Sequence, residues 1–118
     1  MAKIIWHEKA TSQLDSHIGY ALEEYGESTA LKWKKEIVAF EERVRRFSES
    51  YTPEELLRGL PVLYRHRHLM SRRFKLIHYY DEAEDAVHIV DIWDTRMKPE
   101  TLIRRINVEP SNKPLMVT

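Results

Sequence analysis

Two apolar stripes in the first 47 residues restrict the possible folds of this chain more than any other feature. Ala30, Trp33, Ile37, Phe40, Val44 and Phe47 recur at alternating spacings of three and four, which puts all six on one side of an α-helix. Ala10, Leu14, Ile18, Ala21, Leu22 and Tyr25 form a similar stripe in the segment before. Gly26 lies between them and is suited to stopping the first helix in a left-handed conformation. Ser28 can cap the second helix, and Gly19 weakens the first only slightly. So short a link makes the pair an antiparallel hairpin. Both stripes then need a common apolar surface to cover.

That surface is expected from strands. Lys3-Ile4-Ile5-Trp6-His7 is a β-prone opening run. Ser48 to Pro61 is polar, contains Pro53, Gly59 and Pro61, and reads as a connecting loop with a helical turn at Pro53 to Leu57. Three strands follow, Val62 to Met70, Arg72 to Tyr80 and Ala86 to Trp93. They are separated by Met70-Ser71 and by the acidic turn Asp81 to Asp85, which makes an antiparallel meander. Pro99 suits a first helical turn, and Leu102, Ile103 and Ile106 give that helix an apolar face. The expected fold is α+β: a four-stranded, antiparallel-rich sheet with the N-terminal helical hairpin on one face. One domain spans residues 1–108, and Pro- and polar-rich 109–118 is a loose tail.

The chain has 19 Lys and Arg against 19 Asp and Glu, so any charged surface must be local. From Glu8 to Glu55 there are eleven acidic and seven basic residues. From Arg58 to Tyr80 there are six Lys and Arg and no acid: Arg58, Arg65, Arg67, Arg72, Arg73 and Lys75. A basic block laid along strands is a way to hold a phosphate backbone. There is no cysteine, which removes disulfides, thiol chemistry and cysteine-based zinc sites. No apolar run approaches the roughly 20 residues of a membrane helix, and the N-terminus lacks a signal-peptide core. A cytoplasmic protein without a membrane partner is expected. His66-x-His68 is a ligand pair with no third ligand implied by spacing, so neither a metal nor another cofactor is expected.

Strand alternation sorts the basic block into faces. Phe74, Leu76, His78 and Tyr80 share one side of their strand, and Arg73, Lys75, Ile77 and Tyr79 share the other. With Phe74 and Leu76 packed on the helices, Arg73 and Lys75 look outward. Arg65 and Arg67 of the preceding strand are expected beside them, giving an open basic sheet face with Tyr79 at its edge. His78 is expected in the core.

The order strand, two helices, three strands resembles the RelE/ParE superfamily of type II toxin–antitoxin systems, also known as plasmid stabilisation proteins. The resemblance covers about residues 3–106. It is carried by Ile4-Ile5-Trp6 with Ala10 and Leu14, by Leu57-Arg58-Gly59, and by Arg73-Phe74-Lys75-Leu76-Ile77-His78-Tyr79-Tyr80. The most specific piece is Val87-His88-Ile89-Val90-Asp91-Ile92-Trp93-Asp94-Thr95-Arg96 followed by Pro99 and Leu102, which is similar to a branch whose last strand ends aromatic–Asp–x–Arg. The resemblance implies a growth-inhibiting toxin held by a cognate antitoxin. RelE-like members cleave mRNA on the ribosome without a metal; ParE-like members poison DNA gyrase. A fold alone does not choose between them.

Cleavage of RNA through the 2′-hydroxyl needs a base, cations on the pentavalent phosphate and an acid for the leaving oxygen. By resemblance, Lys75 falls where RNase members place a strand arginine, Arg65 and Arg67 near their preceding basic pair, and Arg96 near the arginine after the last strand. Arg65, Lys75 and Arg96 are therefore the expected catalytic cations, and Arg67, Arg72, Arg73 and Tyr79 the expected RNA contacts. Simple solvation of a strand face stands beside this reading with equal weight for Arg65 and Arg67. Several RNase members carry a histidine or tyrosine just after the last strand; this chain has Asp94-Thr95-Arg96 there, which reads better as an ion pair locking a turn. The gyrase reading needs only a surface, for which the hairpin offers Lys32, Lys34, Lys35, Arg43, Arg45 and Arg46. Pairing of these with Glu36, Glu41 and Glu42 along the helix is the simpler account of that face. Cleavage of ribosome-bound mRNA leads narrowly. Gyrase inhibition, and a non-catalytic antitoxin-binding member, stand behind it.

Overall fold

The computed structural model describes residues 1–108, with side chains to Ile106; the expected loose tail at 109–118 lies outside them. A first strand β1 (Lys3–Trp6) leads into helices α1 (Glu8–Tyr25) and α2 (Glu27–Arg46). A two-residue strand β2 (Thr52–Pro53) and a 3-10 turn (Glu55–Leu57) follow. Then come β3 (Arg65–Leu69), β4 (Phe74–Asp81), β5 (Ala86–Asp94) and α3 (Pro99–Val108). The sheet order is β1-β5-β4-β3-β2. β1 runs parallel to β5, and every other neighbour is antiparallel. Among the described residues the sheet thus has five strands where four were expected. The extra one is the short edge strand β2, within the segment read as loop.

The hairpin forms where the stripes placed it. Gly26 has φ +91°, which favours glycine. It serves both helices: its N–H donates to the Leu22 carbonyl, and its own carbonyl accepts from Ala30 N–H. α2 begins at Glu27 with no side-chain cap, so Ser28 lies inside the first turn and is not the cap. The α2 stripe from Ala30 to Val44 is buried, while Phe47, past the helix end, is exposed. On α1 the stripe turns outward at its end, leaving Leu22 and Tyr25 about half exposed.

The sheet carries apolar packing on both faces. On the hairpin side, Phe40, Ile37, Val44, Trp33 and Ala10 pack on Leu69, Phe74, Leu76, Val87, Ile89 and Ile92. On the far side, Leu57 and Leu102 cover Ile77, Val90 and Trp93, with Tyr64, Tyr79 and Ile106 at the margin. The expected open face is therefore partly roofed by α3 and the 3-10 turn. A β-bulge between Ile77 and His78 adds Val90 to this second cluster.

The β3–β4 connection decides which side chains share a face. Met70, Ser71 and Arg72 all have positive φ, from 53° to 71°, making a tight left-handed turn. Its register sets Leu69 opposite Phe74, Arg67 opposite Leu76 and Arg65 opposite His78. Directly opposed residues lie on the same face. Arg65 and Arg67 therefore face the helices, while His66 and His68, opposite Ile77 and Lys75, join Lys75 on the far face. The expected clustering of Arg65 and Arg67 beside Lys75 is corrected by this register.

Candidate functional site

The far face holds a compact charged cluster. Lys75 Nζ lies 2.9 Å from Glu54 Oε1 and donates to Oε2 at 3.2 Å. His66 Nδ1 is 3.1 Å from Glu54 Oε1, and Leu56 N–H donates to Oε2 at 3.0 Å. Glu54 is 3% exposed. Burial alone would raise its carboxyl, but His66, Lys75 and the Leu56 N–H more than reverse this, holding it at about 2. Glu54 was not anticipated. It sits between a two-residue strand and a 3-10 turn, and no local pattern says that a lysine twenty-one residues later closes on it.

The two arginines of β3 are occupied on the hairpin side. Arg65 Nη1 donates to the Tyr51 carbonyl at 2.8 Å. Arg67 Nη1 lies 3.8 Å from Glu36 Oε1 on α2, and the same carboxylate accepts from Met70 N–H at 3.0 Å. His78, between Phe40 and Tyr51, is fully buried as expected. Burial pulls its imidazole down to about 3, so it is a neutral core ring.

A shallow cleft at the other end of β4 is lined by His17, Tyr20, Trp33, Arg73, Asp94 and Arg96. The Arg73 guanidinium lies over the Tyr20 ring at 5.8 Å, which brings it to the hairpin side. Its carbonyl accepts from Thr95 N–H and Thr95 Oγ1. Arg96 grips Asp94 with two charge-assisted bonds, Nη2 to Oδ2 at 2.9 Å and Nε to Oδ1 at 3.1 Å. Its N–H also donates to Oδ1. This is the turn-locking pair the sequence suggested. Arg72 is exposed on the turn. Tyr79 is half buried, edge-on to Tyr64 and stacked on His88; burial, then Tyr64, Asp81 and Glu84, push its phenol up to about 12.

The seven residues picked from sequence thus divide three ways. Lys75 and Tyr79 lie on the far face, Arg65 and Arg67 under the hairpin, and Arg72, Arg73 and Arg96 around the β3–β4 turn. A further buried pair lies on the far face: Arg105 Nη2 donates to Asp91 Oδ1 at 2.7 Å and its guanidinium covers Trp93. Burial raises Asp91 to about 6 despite that arginine.

A helical hairpin on one face of a mixed, mostly antiparallel sheet, closed by a short helix, is the α+β architecture that the resemblance to the toxin superfamily implied. The family described as ParE toxin of type II toxin-antitoxin system, parDE, matches residues 4–99, and the chain belongs to that family. Its partner class is accordingly a cognate antitoxin. Two solved structures share the fold. One is described as the chromosomal ParDE TA system from P. aeruginosa (TM-score 0.61, 19% identity, covering 80% of this chain and 96% of that one). The other is the isolated E. coli RelE toxin (TM-score 0.51, 16% identity, 90% and 99%). No curated protein matches significantly. Among the described residues, no helix is long and apolar enough to cross a membrane.

Proposed function

We propose that this toxin acts by binding a protein target of the DNA gyrase class, and not by cleaving mRNA. The observation that carries this reading is the occupation of the cations that phosphate chemistry would need. Lys75 is held by buried Glu54, Arg96 by Asp94 and Arg65 by a main-chain carbonyl, while Arg67 stands at ion-pair distance from Glu36. Arg65 and Arg67 also lie on the opposite face of the sheet from Lys75, so these cations do not converge on one phosphate position.

The outer side of α2 offers the alternative surface. Of the three acids expected to pair with its cations, Glu36 and Glu41 are drawn inward, Glu36 to Met70 N–H and Arg67, and Glu41 to the Trp6 indole N–H at 3.0 Å; Glu42 stays exposed. Lys32, Lys34, Lys35, Arg45 and Arg46 are left exposed beside Leu31 and Val38. A cationic helix face interleaved with apolar side chains suits docking on an acidic protein surface through charge complementarity.

The test uses purified toxin freed of antitoxin, with pulse-labelling in cells. Gyrase and plasmid DNA should accumulate double-strand cleavage complexes, and DNA synthesis should stop before protein synthesis. Lys35→Glu/Arg45→Glu should weaken both effects. Glu54→Gln/Lys75→Met, which removes the buried charges together, should keep them. Early loss of protein synthesis with cut ribosome-bound mRNA, abolished in a normally folded Glu54→Gln/Lys75→Met variant, would overturn the reading.

A further inference from the structure

The β4–β5 turn, about 26 Å along β5 from Asp94, gathers side chains that the reading above does not use. Asp81 ends β4, Glu84 lies in the turn and His88 is in the first part of β5. One ligand-type atom from each lies within 4.8 Å of the other two. His88 is 4% exposed. Among the described residues its buried Nε2 has no hydrogen bond within ordinary range; it is aimed at Glu84, whose Oε1 lies at ion-pair distance, 3.8 Å away. Its Nδ1 lies 2.9 Å from Nε2 of His7, the residue just before α1. Stacking on Tyr79, with ring centroids 4.7 Å apart and planes 1° from parallel, fixes the ring further.

A buried nitrogen without a close hydrogen bond is costly, and native proteins rarely leave one without a reason. Here two carboxylates stand beside it. We propose that Asp81, Glu84 and His88 bind a divalent transition-metal ion of the zinc or manganese class. One imidazole nitrogen with two carboxylate oxygens suits such ions, whereas calcium and magnesium favour oxygen-only sets. Bond lengths of about 2.0–2.2 Å place two ligands of one ion roughly 3–4 Å apart, so the three groups must close slightly. Glu84, with its side chain 57% exposed in a turn, has the freedom to do so. His88 can offer the Nε2 lone pair only with its proton on Nδ1, where it donates to His7 Nε2. His7 is thus a positioning residue of the kind that orients metal-bound imidazoles. Water completes the coordination. The ion would tie the two strands of the β4–β5 hairpin together beside their turn and link them, through His7, to the start of α1.

The test titrates untagged, full-length protein with zinc and manganese ions by calorimetry, and with cobalt ions as a spectroscopic probe. Binding should saturate at one ion per chain, give a cobalt ligand-field band, and shift the His88 ring resonances. Glu84→Gln and Asp81→Asn should each weaken binding at least about tenfold by removing a ligand. His7→Leu should weaken it by about 10- to 100-fold, while His7→Gln, whose amide oxygen accepts the same bond, should rescue it. Glu84 is exposed, so its variant tests binding without disturbing the core. No saturable binding of any of the three ions would overturn the proposal. So would binding that survives Glu84→Gln and Asp81→Asn but is lost in His66→Gln/His68→Gln, which would locate the ion at the other histidine pair.

Discussion

Replacing Glu54 with glutamine is the sharpest test of how the far face is held together. Glutamine keeps the size of the side chain and an acceptor for Leu56 N–H, but leaves Lys75, 17% exposed at its side chain, without a counter-charge. The Glu54 carboxyl sits at about 2 against 4.5 for a free glutamate, and each pH unit between those values is worth about 1.4 kcal/mol. Ionised Glu54 therefore contributes roughly 3 kcal/mol to folding, in line with the about 3–5 kcal/mol that breaking a buried pair costs. The sign follows from the depressed folded value. The contribution is complete above pH 4.5 and is lost as pH falls from there to 2. Urea denaturation at pH 7 should show Glu54→Gln less stable by about 3 kcal/mol, and thermal melts should fall by roughly 12 °C for a domain of this size. The gap between wild type and variant should close toward pH 2. Adding Lys75→Met should recover much of the loss, because the stranded ammonium is then gone. A cost below about 1 kcal/mol at pH 7, or a gap that does not shrink in acid, would refute the view that this pair is a buried structural link.

Three further outcomes are expected. Arg105→Leu should show the opposite pH signature. Asp91 already titrates at about 6, above its ordinary value, so the folded state favours its protonated form and stability falls as pH rises from 4 through 6. Without Arg105 the destabilisation should be small at pH 5 and reach about 3 kcal/mol at pH 8, read from denaturation midpoints at both pH values. His78, pulled down to about 3, should show a neutral ring by NMR down to pH 4, and His78→Phe should lessen the loss of stability between pH 6.5 and 3. Gly26→Ala should cost about 1–3 kcal/mol through backbone strain alone, since an added Cβ meets nothing within 4 Å among the described residues; a melting curve decides it.

The helices were legible because their signal is local. A stripe from Ala30 to Val44 specifies a helix and its buried side regardless of what it covers. The strands were legible as elements, but their faces were not. Face assignment depends on register across a turn, and a one-residue change exchanges every side chain between faces. Leu69 held the clue. As the last apolar residue of β3 it shares parity with Arg67 and Arg65, and its place opposite Phe74 puts that whole set under the helices. Glu54 had no comparable signal. Its burial arises from the fold of a loop back onto β3, where Glu54 N–H donates to the Tyr64 carbonyl.

The neutral overall charge and the basic block are two sides of one arrangement. The acid-rich segments before residue 58 supply Glu36 to Arg67 and Glu54 to Lys75, so charges separated in sequence meet across the layers of the fold. Each such contact fixes a position: Glu36 joins α2 to the β3–β4 turn, and Glu54 joins the edge loop to β4. A guanidinium or ammonium held in this way reaches a phosphate only by giving up its partner, and for Lys75 that would leave a 3%-exposed carboxylate with only His66 and the Leu56 N–H to hold it. The exposed cations of α2 carry no such penalty. Salt should therefore weaken whatever binds the outer face of α2 while leaving the Lys75–Glu54 contribution nearly intact, and comparing target binding with denaturation midpoints across ionic strength separates the two.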